Sequence, residues 1–298
     1  MVSLAVKVGK LEIPNPTILA SGILGISAKL LLRVLDNGAG AVVTKSFGLS
    51  PKKGYGNPTI YEMPYGLLNA MGLPNPGVEF FSEELKKVRG KNVIASIFGS
   101  EVEEYMSIIK KVEDFVVGFE LNFSCPHAKG YGIEVGRDTE LVEEILKEVR
   151  KATQKPIWAK ISLEIPNFVE LGKIAEKYAD AIVMTNTLKG MAIDIHAKRP
   201  VLTAKIGGYS GPSIKPLALR GVYELYENVK ADIVGCGGIL SGYDAVEFFM
   251  AGAKAVEIGS GIYYRGIGIF REISREIKEF MEREGYDKIE DMVGVAHV

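Results

Sequence analysis

The chain has 298 residues, 47% of them hydrophobic and 24% charged, with 36 basic against 37 acidic residues and a net charge of −1. That balance supports a large core and excludes an overall field that would draw the chain to nucleic acid or anionic lipid. Its two cysteines, Cys125 and Cys236, exclude a disulfide framework and an internal four-cysteine iron–sulfur cluster, and they point to a reducing compartment, the cytoplasm. The three histidines, at 127, 196 and 297, lack metal-ligand spacing, so no metal site is expected. No apolar run approaches the roughly 20 residues that span a bilayer, and the opening MVSLAVKVGKLEIPNP lacks a signal peptide's apolar stretch.

In chain order, LAVKVGKLEI predicts a hairpin turning at Gly9-Lys10. Strand-like segments follow at 17–22, 41–47, 92–100, 115–124, 156–162, 181–187, 232–238 and 255–261, with segments of helical period between most of them. TELVEEILKEVRKATQ, for example, puts Leu141, Val142, Ile145, Leu146 and Val149 on one face, with Thr139 as the expected cap. Eight strand–helix units without a linker or low-complexity stretch predict an α/β fold, a (β/α)8 TIM barrel with an N-terminal β-hairpin, as one domain over 1–298. An open doubly wound sheet is the alternative.

Chemistry in such barrels sits at the C-terminal strand ends. There the fourth strand runs into NFSCPHAKGYG, which sets Asn122, Ser124, Cys125 and His127 together in a polar, glycine-rich loop. Position favours a reactive Cys125, whereas Cys236 lies within the seventh strand and reads as a buried structural thiol. Lys45 and Lys160 each end an otherwise apolar strand, where an unpaired ammonium is costly unless it meets an anion. The last two strands end in CGGI and GSGI, glycines that let backbone N–H groups approach a phosphate. A phosphate there, two lysines and a loop cysteine fit flavin mononucleotide (FMN) in the barrel mouth, with a cation by the flavin's pyrimidine end. Pyridoxal phosphate on Lys160 or Lys45 competes. Asn69, Asn122 and Asn186 favour the flavin, because they suit a planar substrate with several C=O and N–H groups. Met71, Phe47, Tyr55 and Tyr61 read as packing.

With SxxxG at 21–25, VVTKS at 42–46, NAMGLPNPG at 69–77, NFSCP at 122–126, NT at 186–187, SGPSIKPLALR at 210–220 and GCGGI at 235–239, the chain resembles the class 1 dihydroorotate dehydrogenases over nearly its whole length. It looks most similar to the class 1B branch, whose catalytic subunit works with an electron-transfer subunit. The resemblance implies oxidation of dihydroorotate to orotate in pyrimidine (UMP) biosynthesis, with FMN as cofactor. It implies Cys125 as the base that takes a proton from C5. It implies flavin contacts from Ser21, Lys45, Ser46, Asn122, Lys160, Thr185, Gly211, Gly237, Gly238, Gly259 and Ser260. Substrate contacts are implied for Lys45, Asn69, Ala70, Met71, Gly72, Leu73, Asn122, Asn186 and Thr187. Lys160 is implied to sit by the flavin ring.

The resemblance also implies a partner subunit with FAD and a 2Fe-2S cluster passing electrons to NAD, and a homodimer or heterotetramer; neither nucleic acid nor membrane is an expected partner. No G-x-G-x-x-G dinucleotide fingerprint lies between a strand and a helix, and the membrane-associating N-terminal extension of the quinone-linked class is not seen. Departures are His127 and Ser96 where the family usually has asparagine, KISLEIPN in place of KLSPN, and Ser260 in place of threonine. The alternatives are a dihydrouracil- or dihydrothymine-oxidising enzyme, a tRNA dihydrouridine synthase-like barrel, which a basic RNA-binding surface would mark, and a non-catalytic binding barrel, which the Lys–Cys–Asn set argues against.

Overall fold

The structure, a computed structural model, describes residues 2–126 and 130–298. Its first element is the expected hairpin, β1 (Val6–Val8) paired antiparallel with β2 (Leu11–Ile13). The Gly9 N–H donates to Asp232 Oδ2 at 2.7 Å and Lys10 pairs with Asp180 at 3.1 Å. Both aspartates stand at the start of barrel strands, so the hairpin sits against the end of the barrel opposite the chemistry.

Eight parallel strands then close on themselves: β3 (Thr17–Leu19), β4 (Ala41–Val43), β7 (Val93–Ile97), β8 (Gly118–Asn122), β9 (Ile157–Ile161), β10 (Ala181–Met184), β15 (Asp232–Cys236) and β16 (Ala253–Ile258). They are near-continuous apolar runs because helices cover them outside and side chains fill the lumen inside. Trp158 is fully buried and, two residues before Lys160 on β9, shares its inward face. The intervening helices are α1 (Ala28–Asp36), α2 (Val78–Lys86), α3 (Val102–Val112), the short α4 (Ile133–Gly136), α5 (Thr139–Ala152), α6 (Phe168–Ala175), α7 (Lys215–Tyr226), α8 (Gly242–Met250), the short α9 (Gly261–Arg265) and α10 (Ile269–Glu284).

Three local expectations are corrected. The strands are shorter than the apolar runs, because the closed ladder ends where each chain turns outward; β4 stops at Val43, leaving Lys45 just past it. The cap of α5 is Asp138 rather than Thr139, its carboxylate accepting from Leu141 N–H at 3.0 Å. A four-stranded antiparallel sheet that the sequence reading does not anticipate crosses the barrel mouth: β5 (Ile60–Met63), β6 (Gly66–Asn69), β11 (Leu188–Gly190) and β14 (Gly207–Ser210), in the order β11-β14-β6-β5. A two-stranded ribbon, β12 (Ile193–Asp194) with β13 (Arg199–Pro200), lies between β11 and β14 in sequence.

Candidate active site

The C-terminal strand ends and the sheet across the mouth enclose a cavity of about 310 Å³. One wall carries the amides. The Asn122 Nδ2 donates to Ser46 Oγ at 2.9 Å, while its Oδ1 accepts from Ser124 N and Oγ at 3.1 and 3.0 Å. The Asn186 Nδ2 donates to Ser124 Oγ at 2.9 Å, so one serine locks both amides in place. Asn69 reaches in from the mouth sheet, its Nδ2 donating to Gly208 O at 3.3 Å. Met71, Gly72, Leu73 and Thr187 complete this side. Met71 therefore faces the cavity, not only its neighbours. Phe47 packs as expected, stacked on Phe81 with ring centroids 4.1 Å apart.

Cys125 lines the same wall at 9% exposure and packs with Leu73 and Phe98, the Tyr131 ring beside them. The loop returns over the cysteine: the Ile133 N–H donates to Cys125 O at 3.0 Å. A Cβ on Gly132 (φ +59°) would fall 2.6 Å from the Cys125 Cβ, which accounts for that glycine in NFSCPHAKGYG. His127, a departure from the family pattern, lies outside the described residues. Lys45 shares this part of the cavity with Cys125. Burial lowers the Lys45 ammonium below an ordinary lysine, against an opposing pull from the Cys125 charge.

The opposite wall is made of the two glycine turns. Gly237, Gly238, Gly259 and Ser260 line the cavity, as do Ser21 and Thr185, and Ser46 joins Ser21 to Asn122 by hydrogen bonds of 2.8 and 2.9 Å. Gly238 has φ +75°, and a Cβ there would meet the Lys215 backbone N at 2.8 Å and Gly211 O at 2.9 Å. This cradle admits only glycine and offers backbone to an anion, which fits a phosphate-bearing cofactor such as FMN.

Two of the expected contact residues lie off the cavity lining. Gly211 does not line the cavity; its carbonyl backs Gly238 instead, and Ser210 and Ile214 reach the space. Ala70 is buried in a separate cluster with Leu68 and Leu202, because alternation along the strand turns it away. Ser96 also stands behind the lining, its Oγ bonded to Ser46 Oγ at 2.9 Å. Cys236, read from sequence as a structural thiol, stands at the end of β15 and edges the cavity; burial pushes its thiol up to about 12.

Lys160 occupies the cavity floor, but the anions it meets are the protein's own. Its Nζ lies 2.5 Å from Glu257 Oε2 and 3.5 Å from Glu120 Oε2. Burial by itself would lower this lysine, yet the carboxylates of Glu120 and Glu257 raise it above an ordinary lysine. The sequence reading missed both glutamates. The signal was available: a glutamate inside GFELN or AVEI is as costly to bury unpaired as a lysine inside IWAKI.

A closed α/β barrel whose mouth joins a buried cysteine, fixed amides, two lysines and a glycine cradle defines a cofactor-using barrel enzyme. The sequence model of the dihydroorotate dehydrogenase family matches residues 3–281. A Pyrococcus abyssi protein named dihydroorotate dehydrogenase B (NAD(+)), catalytic subunit, is 50% identical over 288 residues, 96% of each chain. One of the same name from Methanocaldococcus jannaschii is 47% identical over 294 residues, again 96% of each chain. A solved dihydroorotate dehydrogenase from Eimeria tenella, in complex with ferulenol, superposes with a TM-score of 0.83 at 21% identity, covering 99% of this chain and 88% of that one, a likeness of fold. The chain belongs to the dihydroorotate dehydrogenase family. It is an oxidoreductase, and membership carries with it the FMN cofactor and dihydroorotate as substrate.

Proposed function

We propose that the chain is the catalytic subunit of a class 1B enzyme, one FMN-binding domain that oxidises dihydroorotate to orotate and passes the electrons through a partner to NAD. The observation that carries this reading is the cavity itself, where Cys125 and the locked amides of Asn122 and Asn186 face the glycine cradle across one enclosed space. In it, Cys125 takes the C5 proton of the substrate on Sγ, Asn69, Asn122, Asn186 and Thr187 hold the ring amides, and Lys45 meets the carboxylate. The backbone at Gly237–Gly238 and Gly259–Ser260 holds the phosphate of FMN, and Lys160 sits at the ring. When bound, FMN supplies the hydride acceptor. The sheet across the mouth narrows the access of water, and a ligand that fills the cavity would strengthen each of these contacts by lowering the local dielectric.

The relatives' names carry both NAD(+) and the words catalytic subunit. With two cysteines this chain has no four-cysteine cluster of its own, so the reading assigns FAD and a 2Fe-2S cluster to a partner, in a homodimer or heterotetramer in the cytoplasm. Among the described residues no helix is long and apolar enough to cross a membrane. The test is turnover with an artificial dye: purified chain carrying FMN reduces the dye with dihydroorotate and forms orotate. Equal turnover with dihydrouracil, which lacks the carboxylate, would refute the assignment of Lys45 and move the chain toward dihydropyrimidine oxidation.

A further inference from the structure

Glu120, Lys160 and Glu257 come from β8, β9 and β16, and β16 faces β9 across the lumen with β10 and β15 between them in the barrel order. Their side chains are 0%, 4% and 0% exposed. Two carboxyls thus share one ammonium where water does not reach, and full ionisation would leave a buried negative charge with no counterion. The hydrogen bonds show how this is resolved. The Ser96 Oγ lies 2.9 Å from both Glu120 Oε1 and Ser46 Oγ, and when it donates to the carboxylate it accepts from Ser46. The Ser46 proton is then used, and Ser21 Oγ at 2.8 Å and Asn122 Nδ2 at 2.9 Å donate to it. With the Ser96 hydroxyl donating, the chain ends on Glu120 Oε1 while Lys160 stands by Oε2, an arrangement that satisfies Glu120 as the ionised member of the pair.

Glu257 differs. Its Oε2 takes Lys160, but its buried Oε1 receives no N–H or hydroxyl donor among the described residues. The two carboxyls lie within hydrogen-bond reach of each other, where two carboxylates repel and a carboxyl–carboxylate pair binds. Burial and the neighbouring Glu120 charge hold the Glu257 carboxyl well above the usual range. The other ionisable group that faces Glu257 is Cys236 from β15, a neutral thiol; β3 brings none.

We infer that Glu120 and Glu257 share a single proton around the Lys160 ammonium, forming a neutral three-group cluster that positions Lys160 at the floor of the cavity and keeps that floor free of net charge. Glu257 and Lys160 both line the cavity, so the net charge of the cluster is felt by the group bound above it. Glu257 and Glu120 are positioning residues, acting through Lys160. This role rests on the assignment of FMN to the cavity, but the proton is a property of the protein alone.

The experiment is infrared difference spectroscopy on the purified full chain, flavin-loaded and flavin-stripped, with a redox titration of the bound flavin across pH. Wild type shows the C=O band of a protonated carboxyl that shifts in D2O. Glu257→Gln loses it, and so does Glu120→Gln, because a single carboxyl beside Lys160 ionises. The flavin midpoint potential of Glu257→Gln matches wild type at neutral pH, since the variant loses one carboxyl together with the shared proton and leaves the Lys160–Glu120 pair neutral. At alkaline pH the wild type falls below the variant as the shared proton leaves. Absence of the band from wild type, or its persistence in both variants, overturns the proposal. A Glu257→Gln potential raised by the same amount at every pH would also overturn it, because both carboxyls would then be ionised in the native protein. The band is read without flavin as well, so a chain that binds no FMN leaves this arm intact and fails only the proposed function.

Discussion

At the residue scale, Cys125 and its proposed substrate are matched as base and acid. A thiol beside a lysine can exist as thiolate near neutral pH, while a hydroxyl in its place is a far weaker acid. Cys125→Ser is therefore expected to keep its flavin, reduce it much more slowly at neutral pH, and regain part of the rate as pH rises; a rate independent of pH would contradict the assignment. Lys45 makes a second pH statement. Because burial lowers it from 10.5, it loses its proton at a lower pH than a free lysine. The KM for dihydroorotate is expected to rise toward alkaline pH as the cation facing the substrate carboxylate disappears. Lys45→Gln should flatten that rise and start from a higher KM, which steady-state kinetics across pH will read.

At the element scale, the parts legible in the sequence were those that local chemistry sets. The barrel strands announce themselves as apolar runs that stop at glycine, asparagine or lysine, and the hairpin by Gly9-Lys10. The sheet across the mouth was not legible, because nothing local marks it. IYEM in β5 is exposed or half-buried throughout, so it shows no alternation, and Leu67 on β6 bonds to Ser210 on β14 across 143 residues. The site split in the same way. Cys125, Asn122 and the glycine turns stood out by type and position, whereas Glu120 and Glu257 were hidden inside strands that read as apolar, and only the closed barrel brings them onto Lys160. Gly238→Ala forces a side chain into a positive-φ position against Lys215 and Gly211, at a cost of about 1–3 kcal/mol. Lowered thermal stability and weakened FMN binding are expected together, by thermal unfolding and by flavin fluorescence titration. A variant that binds FMN as tightly as wild type would show that this turn does not hold the phosphate.

For the whole molecule, the barrel supplies one enclosed cavity that joins the cysteine wall to the glycine cradle, and the chain's own cysteines cannot carry electrons onward through a cluster. The flavin-loaded chain alone is expected to reduce artificial dyes or oxygen but to form no NADH from dihydroorotate and NAD; steady NADH formation without a partner would contradict the proposed electron path, and turnover with fumarate would move the chain to the other class 1 branch. The claim beneath all of this is that Cys125 and a flavin face one substrate in that cavity. Mixing dihydroorotate with the flavin-loaded chain in the absence of air tests it most directly. Rapid loss of the flavin's visible absorption is expected in wild type, with one orotate formed per flavin, and a rate roughly 10²–10⁴-fold lower in Cys125→Ala, as befits removal of a general base. A wild-type flavin that stays oxidised, or a Cys125→Ala variant that bleaches as fast as wild type, would contradict the account.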